Sequence, residues 1–298
     1  MKKSLIFLIL ILLLLTILVF IGVNNIAPSA ITQPPRINES LTPSKLALKS
    51  DPLDLVTTDN INLKGYWIKS MQDTSFGIII LVHGIGGCKE HFLNLSKELS
   101  QNGFESIVFD GRAHGESGGE FCTYGYKEKK DIAQIVDKIK RQSPHLPIGI
   151  WGNSLGGAIA IQALEFDKRI EYGIIESTFT DLHQIVYDYQ KRILKGIGSR
   201  RLSDFALSKA GKLADFDPSK VKPLESVKNI EQPVFIGHGD SDKNISYKYG
   251  QQLYDSLKAS KKRLVLVKGG GHFDLYDKGG YRYKSAIMDF LEMNTIRE

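Results

Sequence analysis

Gly152-Asn153-Ser154-Leu155-Gly156 is the stretch whose reading decides the fold. It lies between the apolar run Pro147-Ile148-Gly149-Ile150-Trp151 and the helix-like run Ala158-Ile159-Ala160-Ile161-Gln162-Ala163-Leu164. That order is strand, tight turn, helix, with a serine at the turn. So sharp a turn strains its central residue and lifts the side chain clear of the chain, while flanking glycines remove Cβ atoms that would strike strand and helix. A hydroxyl raised above a helix N-terminus is placed to attack an acyl carbon. The first helical N–H, that of Leu155, is an expected donor to the resulting oxyanion. Gly115-Glu116-Ser117-Gly118-Gly119 also fits G-x-S-x-G, but it stands apart from the preceding strand and no apolar helix follows at once. Ser117 therefore reads as part of a glycine-rich turn.

Outward from the elbow, short apolar runs alternate with helix-like ones. Residues 54–58 and 63–68, joined by a polar turn at Asp59-Asn60, suggest an antiparallel pair. Strand-like runs follow at 78–82, 106–109, 148–151, 172–175, 234–236 and 264–267, and helix-like segments at 92–101, 129–141, 247–258 and 284–293. Continuous apolar strands alternating with helices predict an α/β fold with a mostly parallel sheet covered on both faces. The alternation breaks once, after the sixth strand, where residues from about 178 to 228 hold helical patches and no strand. Within them 188–195 and the surroundings of Arg200, Arg201 and Phe205 are basic and amphipathic. An insertion of this size at the C-terminal edge of a sheet is expected to be a small helical lid; a helical excursion that merely lengthens the fold is the alternative.

The N-terminus is of another kind. After Lys2 and Lys3, residues 4–23 carry no charge and are almost wholly Leu, Ile, Val and Phe. A run of about 20 such residues is long enough to cross a hydrocarbon core of about 30 Å. Residues 1–23 are thus expected to be an uncleaved transmembrane anchor, with a cleaved signal segment as the alternative. Lys2 and Lys3 would stay cytoplasmic and the rest face outward. If the signal is cleaved, the domain is instead secreted or periplasmic. Residues 24–50, with Pro28, Pro34, Pro35 and Pro43, read as a stalk or linker, so that removing residues 1 to about 45 is expected to leave an active domain at 51–298. Over the whole chain 39 Lys and Arg stand against 33 Asp and Glu, a formal charge of +6. The basic residues are scattered among acids with no basic stripe interleaved with aromatics, so nucleic acid is not an expected partner. No cofactor is expected, since no G-x-G-x-x-G opens a helix after a strand. No metal is expected either, since no Cys/His or HExxH spacing is present.

A serine at neutral pH needs a base, and the base needs an orienting acid. His272 follows a predicted strand and Gly269-Gly270-Gly271, in a loop at the same sheet edge as Ser154. The acid should come from a strand end between them, where His238-Gly239-Asp240-Ser241-Asp242 offers two candidates. The order Ser, Asp, His is that of α/β-hydrolases. His83-Gly84-Ile85-Gly86-Gly87 ends the strand at 78–82, and its glycines free the N–H of Ile85 to join that of Leu155 as oxyanion donors. His83 itself reads as a structural residue of that loop. The polar groups of 110–117 are expected to cross-brace the next loop.

Taken together, His83-Gly84, Asp110-x-Arg112-x-His114-Gly115-x-Ser117, Gly152-x-Ser154-x-Gly156, His238-Gly239-x-x-Asp242 and Gly271-His272 resemble the α/β-hydrolase superfamily from about residue 53 to the C-terminus. Within it the chain is similar to the short-lidded, often membrane-anchored serine hydrolases grouped with serine aminopeptidases and monoglyceride-lipase-like enzymes. The resemblance implies a catalytic triad of Ser154, His272 and Asp242, the last because the family pattern puts the acid four residues after His238. Asp240 would then cap the turn. One departure is Asn244-Ile245-Ser246 where the family commonly has Val-Pro after the acid. The implied function is hydrolysis of a carboxylic ester through an acyl-enzyme, on a small-molecule ester, acyl or short peptide substrate. A peptidase or an acyltransferase using the same triad is the alternative, and a non-catalytic binding protein on a hydrolase fold the remaining one. Cys88 and Cys122 each follow one of two strands that lie side by side in this superfamily's sheet. An outward-facing domain allows a bridge between them, and two unpaired thiols are the alternative.

Overall fold

The computed structural model describes residues 2–295. In chain order its elements are α1 (Lys2–Ile21), a π turn (Gly22–Ile26), α2 (Ala27–Thr32), β1 (Ser50–Val56), β2 (Asn62–Ile68), β3 (Gly77–Val82), α3 (Leu93–Gln101), β4 (Phe104–Phe109), α4 (Glu128–Gln142), β5 (Ile148–Asn153), α5 (Leu155–Phe166), β6 (Tyr172–Glu176), α6 (Leu182–Ile193), α7 (Arg200–Leu213), α8 (Pro223–Ser226), β7 (Val234–Gly239), α9 (Tyr247–Ser256), β8 (Lys262–Val267) and α10 (Leu275–Thr295). The strands form one sheet in the order β1-β2-β4-β3-β5-β6-β7-β8. β2 runs antiparallel to β1 and β4, and the rest of the sheet is parallel.

Successive side chains of a strand point to opposite faces, so the apolar run of β3 serves two cores. Ile78, Ile80 and Val82 enter one with Ile132, Ile135 and Ile139 of α4 and the small residues of α5. Ile79 and Leu81 enter the other with Leu93 and Leu99 of α3 and Tyr283, Ile287 and Phe290 of α10. Every residue of β3 is buried, as a parallel strand covered on both faces requires. This is the α/β-hydrolase architecture expected from the sequence, a mostly parallel sheet flanked by helices, with α6, α7 and α8 inserted between β6 and β7. α6 begins at a side-chain cap, Asp181 accepting from the N–H of Gln184, and α7 at Ser199 accepting from Leu202. Each cap satisfies an N–H that the first turn leaves without a helical partner.

The segment between α1 and β1 is packed along the domain rather than held away from it. α2 and the π turn before it lie against α7, and Pro28, Thr32, Pro43 and Leu48 are buried. Cys122 donates its N–H to the carbonyl of Thr32 (2.7 Å), and the Tyr124 hydroxyl donates to that of Ile31 (2.6 Å). Arg36 extends this attachment. Its guanidinium donates to the carbonyls of His114 (3.3 Å), Gly115 (3.0 Å), Ser117 (2.6 Å) and Gly119 (2.5 Å). A proline-rich, polar stretch reads as a linker because its composition holds no apolar period. Its docking comes from single side chains meeting backbone groups far away in sequence, which composition does not register.

α1 is the one helix among the described residues that is long and apolar enough to cross a membrane, and its apolar side chains at 5–14 and 17–21 are exposed. Cys88 and Cys122 are both free and buried. The Cys88 thiol is pushed up to about 12, first by burial and then by the neighbouring Glu90.

Candidate active site

β5 ends at Asn153 and α5 starts at Leu155, so a single residue makes the turn. Ser154 has φ 54° and ψ −120°, a conformation that L residues rarely adopt. Its N–H donates to the Glu176 carbonyl (2.9 Å), and its own carbonyl accepts from the Thr178 hydroxyl (2.6 Å), which pins the strained residue from both sides. The two glycines of the pentapeptide are there for space. A Cβ on Gly152 would run into the carbonyl of Gly156, and one on Gly156 into the carbonyl of Val82. The expected reason for these glycines therefore holds in the structure.

Three side chains predicted from separate parts of the sequence come together at the C-terminal edge of the sheet. The His272 Nε2 lies 3.0 Å from the Ser154 Oγ, and its Nδ1 lies 2.7 Å from the Asp242 Oδ2. Asp242 Oδ1 accepts from the N–H groups of Asn244 (2.7 Å) and Ile245 (2.9 Å). Asn244-Ile245-Ser246 thus forms the turn after the acid by means of amide donors that a proline would lack. His238 is fully buried beneath this loop, with Nε2 at 3.0 Å from the Ile245 carbonyl and 3.4 Å from Asp242 Oδ2. Burial alone would raise the Asp242 carboxyl, but the hydrogen bonds from His238, His272 and Ile245 outweigh it. They hold the group well below the usual carboxylate range. Asp240 is exposed and turned elsewhere, its Oδ1 accepting from Gly269 N–H (2.7 Å) and Ser241 Oγ (3.0 Å).

The loop after β3 faces the elbow. A Cβ on Gly84 would stand 3.3 Å from the Ser154 Cβ, so the loop that carries Gly84 and Ile85 passes close beside the serine. Among the described residues neither the Ile85 nor the Leu155 N–H has a hydrogen-bond partner. Leu155 is the first residue of α5, where an N–H has no partner within the helix.

The supports around this loop are structural, as the sequence suggested. His83 Nδ1 lies 2.8 Å from the Gly84 carbonyl and Nε2 accepts from Gly111 N–H (3.0 Å). Burial, and then the ring of His114, push its pKa down to about 4, so it is a neutral brace. Asp110 accepts from Lys89 N–H (2.8 Å), Lys89 Nζ (2.9 Å) and Glu116 N–H (2.9 Å). Ser117, the serine of the second G-x-S-x-G, donates to the Asp110 carbonyl (2.6 Å) and accepts from Lys64 N–H (2.9 Å). It is buried and engaged on both sides.

The sequence reading missed Arg36 and Thr178. Thr178 follows β6 and reads like any loop threonine. Arg36 lies in a stretch without periodicity, and its carbonyl partners carry no side-chain signature. The described residues also bring together Glu39, Cys88 and His91, donor atoms that lie within 4.8 Å of one another. The Glu39–His91 hydrogen bond at 3.1 Å accounts for this cluster at the edge of the docked segment.

Known proteins agree with this architecture. The Pyrococcus furiosus esterase Pf2001 superposes with a TM-score of 0.75 at 25% identity, over 89% of this chain and 99% of that one. The Bacillus subtilis protein YqkD is 28% identical over 243 residues, 80% of this chain and 78% of its own length. Lysophosphatidylserine lipase ABHD12 of Xenopus tropicalis is 29% identical over 250 residues, 76% of this chain and 60% of that protein. The family model described as serine aminopeptidase, S33, matches residues 73–222, a span that contains β3, the elbow and the first two inserted helices. With half of its length matched by that model, on an α/β-hydrolase sheet that continues to α10, the chain belongs to the S33 serine aminopeptidase family and is an α/β-hydrolase enzyme.

Proposed function

We propose that this serine hydrolase cleaves a carboxylic ester through an acyl-enzyme, with Ser154 as nucleophile, His272 as base and Asp242 as its orienting acid. The observation that carries the reading is the unbroken chain from Ser154 Oγ through both ring nitrogens of His272 to Asp242. As Oγ attacks the carbonyl carbon, its proton passes to His272 Nε2. The Nδ1–H bond to Asp242 fixes the tautomer and stabilises the imidazolium that forms. The Ile85 and Leu155 amides receive the oxyanion. Collapse of the tetrahedral intermediate expels the alcohol, which takes the proton from His272. Water then repeats the sequence on the acyl-enzyme and releases the acid.

The similarity to an esterase over 89% of the chain supports an ester rather than a peptide. So does the apolar rim: Ile85 beside the elbow is 41% exposed and Phe273, adjacent to the base, 82% exposed. In this reading α1 anchors the protein with Lys2 and Lys3 on the cytoplasmic side and the enzyme outside, and α6 to α8 form the lid. The test is turnover of acyl esters of graded length beside peptide amides of matched acyl group, with Ser154→Ala as blank. Ester turnover well above amide turnover is expected. Amide cleavage at rates equal to or above those of the esters would overturn the ester assignment in favour of a peptidase.

A further inference from the structure

The turn between α6 and α7 is basic and carries exposed apolar side chains. From Lys191 to Phe205 the chain carries Lys191, Arg192, Lys195, Arg200 and Arg201 against the single acid Asp204, which lies 2.8 Å from His183 Nδ1. Among the described residues none of these five cations is in an ion pair. Interleaved with them stand large apolar side chains in water: Ile193 is 72% exposed, Ile197 is 76% exposed, and Leu194, Leu202 and Phe205 are exposed as well. Apolar tips between unpaired cations suit a boundary where hydrocarbon and anionic groups lie within a few ångströms of each other.

The direction of the N-terminal helix says which boundary. α1 continues through the π turn Gly22–Ile26 into α2, and both of the latter pack on α7. The first residues of α7 belong to the exposed stretch, and the helix has 14 residues, about 20 Å at the α-helical rise. The turn is therefore held within about one short helix of the point where α1 leaves the domain. If α1 lies in a bilayer, the headgroup layer is at the same level as the turn. The turn also adjoins the site. Arg192 at the end of α6 donates to Asn244 Oδ1 (2.6 Å), two residues from Asp242.

We propose that residues 191–205 form a membrane-docking surface that seats in the anionic headgroup layer of the bilayer holding α1, so that acyl chains pass from the bilayer to the site beside the lid. The apolar side chains enter the acyl boundary and the five cations meet lipid phosphates. The inference rests on the anchored reading of α1 given above.

The test uses the full chain with Ile197→Cys, labelled with an environment-sensitive fluorophore, since Cys88 and Cys122 are buried. It is reconstituted in phosphatidylcholine vesicles with and without phosphatidylserine. Doxyl-labelled lipid should quench the label, more strongly with phosphatidylserine present. A label at Met71→Cys, exposed beside the N-terminal end of β3, should stay unquenched. Replacing Ile193 and Ile197 by Asp should lower the ratio of vesicle-borne to water-soluble ester turnover about tenfold or more. A chain retained in carbonate-washed membranes with an unquenched 197 label overturns the docking and leaves the anchor standing. Equal quenching with and without phosphatidylserine overturns the role of the cations. Recovery of a shortened chain free of membranes overturns the anchor, and the docking with it.

Discussion

The elbow around Ser154 stands against the loop after β3, the segment from Ala27 to Lys49 against the stretches after β3 and β4, and the two are held by opposite means. At the elbow the backbone leaves no room. Gly152 and Gly156 sit where any Cβ would meet a carbonyl, and Ser154 is kept at positive φ by bonds to Glu176 and Thr178. The N-terminal segment relies on a few long-range polar contacts. A Cβ on Gly86 would stand 3.2 Å from the Pro35 ring, Glu39 meets His91, and Arg36 gathers four carbonyls of the 114–119 turn. Steric necessity leaves a local trace in the sequence. A guanidinium that gathers distant carbonyls leaves none. A segment that looks dispensable can therefore bear on the geometry of the site.

The largest effect expected is at the elbow. Ser154→Ala should abolish fluorophosphonate labelling and lower ester turnover on the order of 10⁶-fold, as for comparable triads. Ser117→Ala should leave the labelled residue unchanged, because Ser117 is bound on both sides away from His272. Labelling at Ser117 would undo the assignment.

The two aspartates after β7 sharpen the comparison at the next level. Asp242→Asn should lower turnover by up to about 10⁴-fold, since an amide neither stabilises the imidazolium nor fixes its tautomer. Asp240→Asn removes acceptors for Gly269 and Ser241 only, and should cost far less. Parent-like activity in Asp242→Asn would refute the role of the acid.

For the docked segment, a chain starting at residue 27 should keep its activity, whereas one starting at residue 46 should lose both activity and thermal stability. Arg36→Ala in the full chain isolates the main contact. Charge-assisted hydrogen bonds contribute about 1.5–3 kcal/mol, so urea unfolding should show a loss of stability of that order. The value of kcat/KM should fall with it, because the stretch after β4 that Arg36 holds is bonded in turn to His83 and Lys89 beside the elbow. Equal kinetics for the two truncated chains would show that the elbow needs no help from the N-terminal segment.

The last effect concerns the pH dependence of stability. The pKa of His83 is depressed to about 4 in the folded chain, against 6.5 ordinarily. Its contribution to stability is therefore complete above about pH 6.5 and is lost as pH falls through about 4. At most about 1.4 kcal/mol per pH unit attaches to one such group. Urea unfolding between pH 7 and pH 4 should show this loss in the parent and a shallower one in His83→Gln. Parallel profiles would mean that His83 takes up its proton in the folded chain as readily as in the unfolded one, so that burial does not hold it neutral.

The sequence by itself determined the sheet, the elbow and the chain order of the three polar groups that converge on it. These are written in short-range terms: continuous apolar runs for buried strands, glycines where backbones cross, polar residues at strand ends. It also set apart the basic, amphipathic stretch between α6 and α7. Two of its alternatives needed the folded chain. Asp242 and Asp240 follow the same strand, and only the closing of the loop shows that Asp242 meets His272 while Asp240 turns to Gly269. Cys88 and Cys122 follow neighbouring strands, and only packing shows them as separate buried thiols. The docking of residues 27–49 belongs wholly to tertiary structure. The partners of Arg36 are backbone carbonyls, which every residue carries alike, so no residue pattern can announce which of them a distant arginine will find.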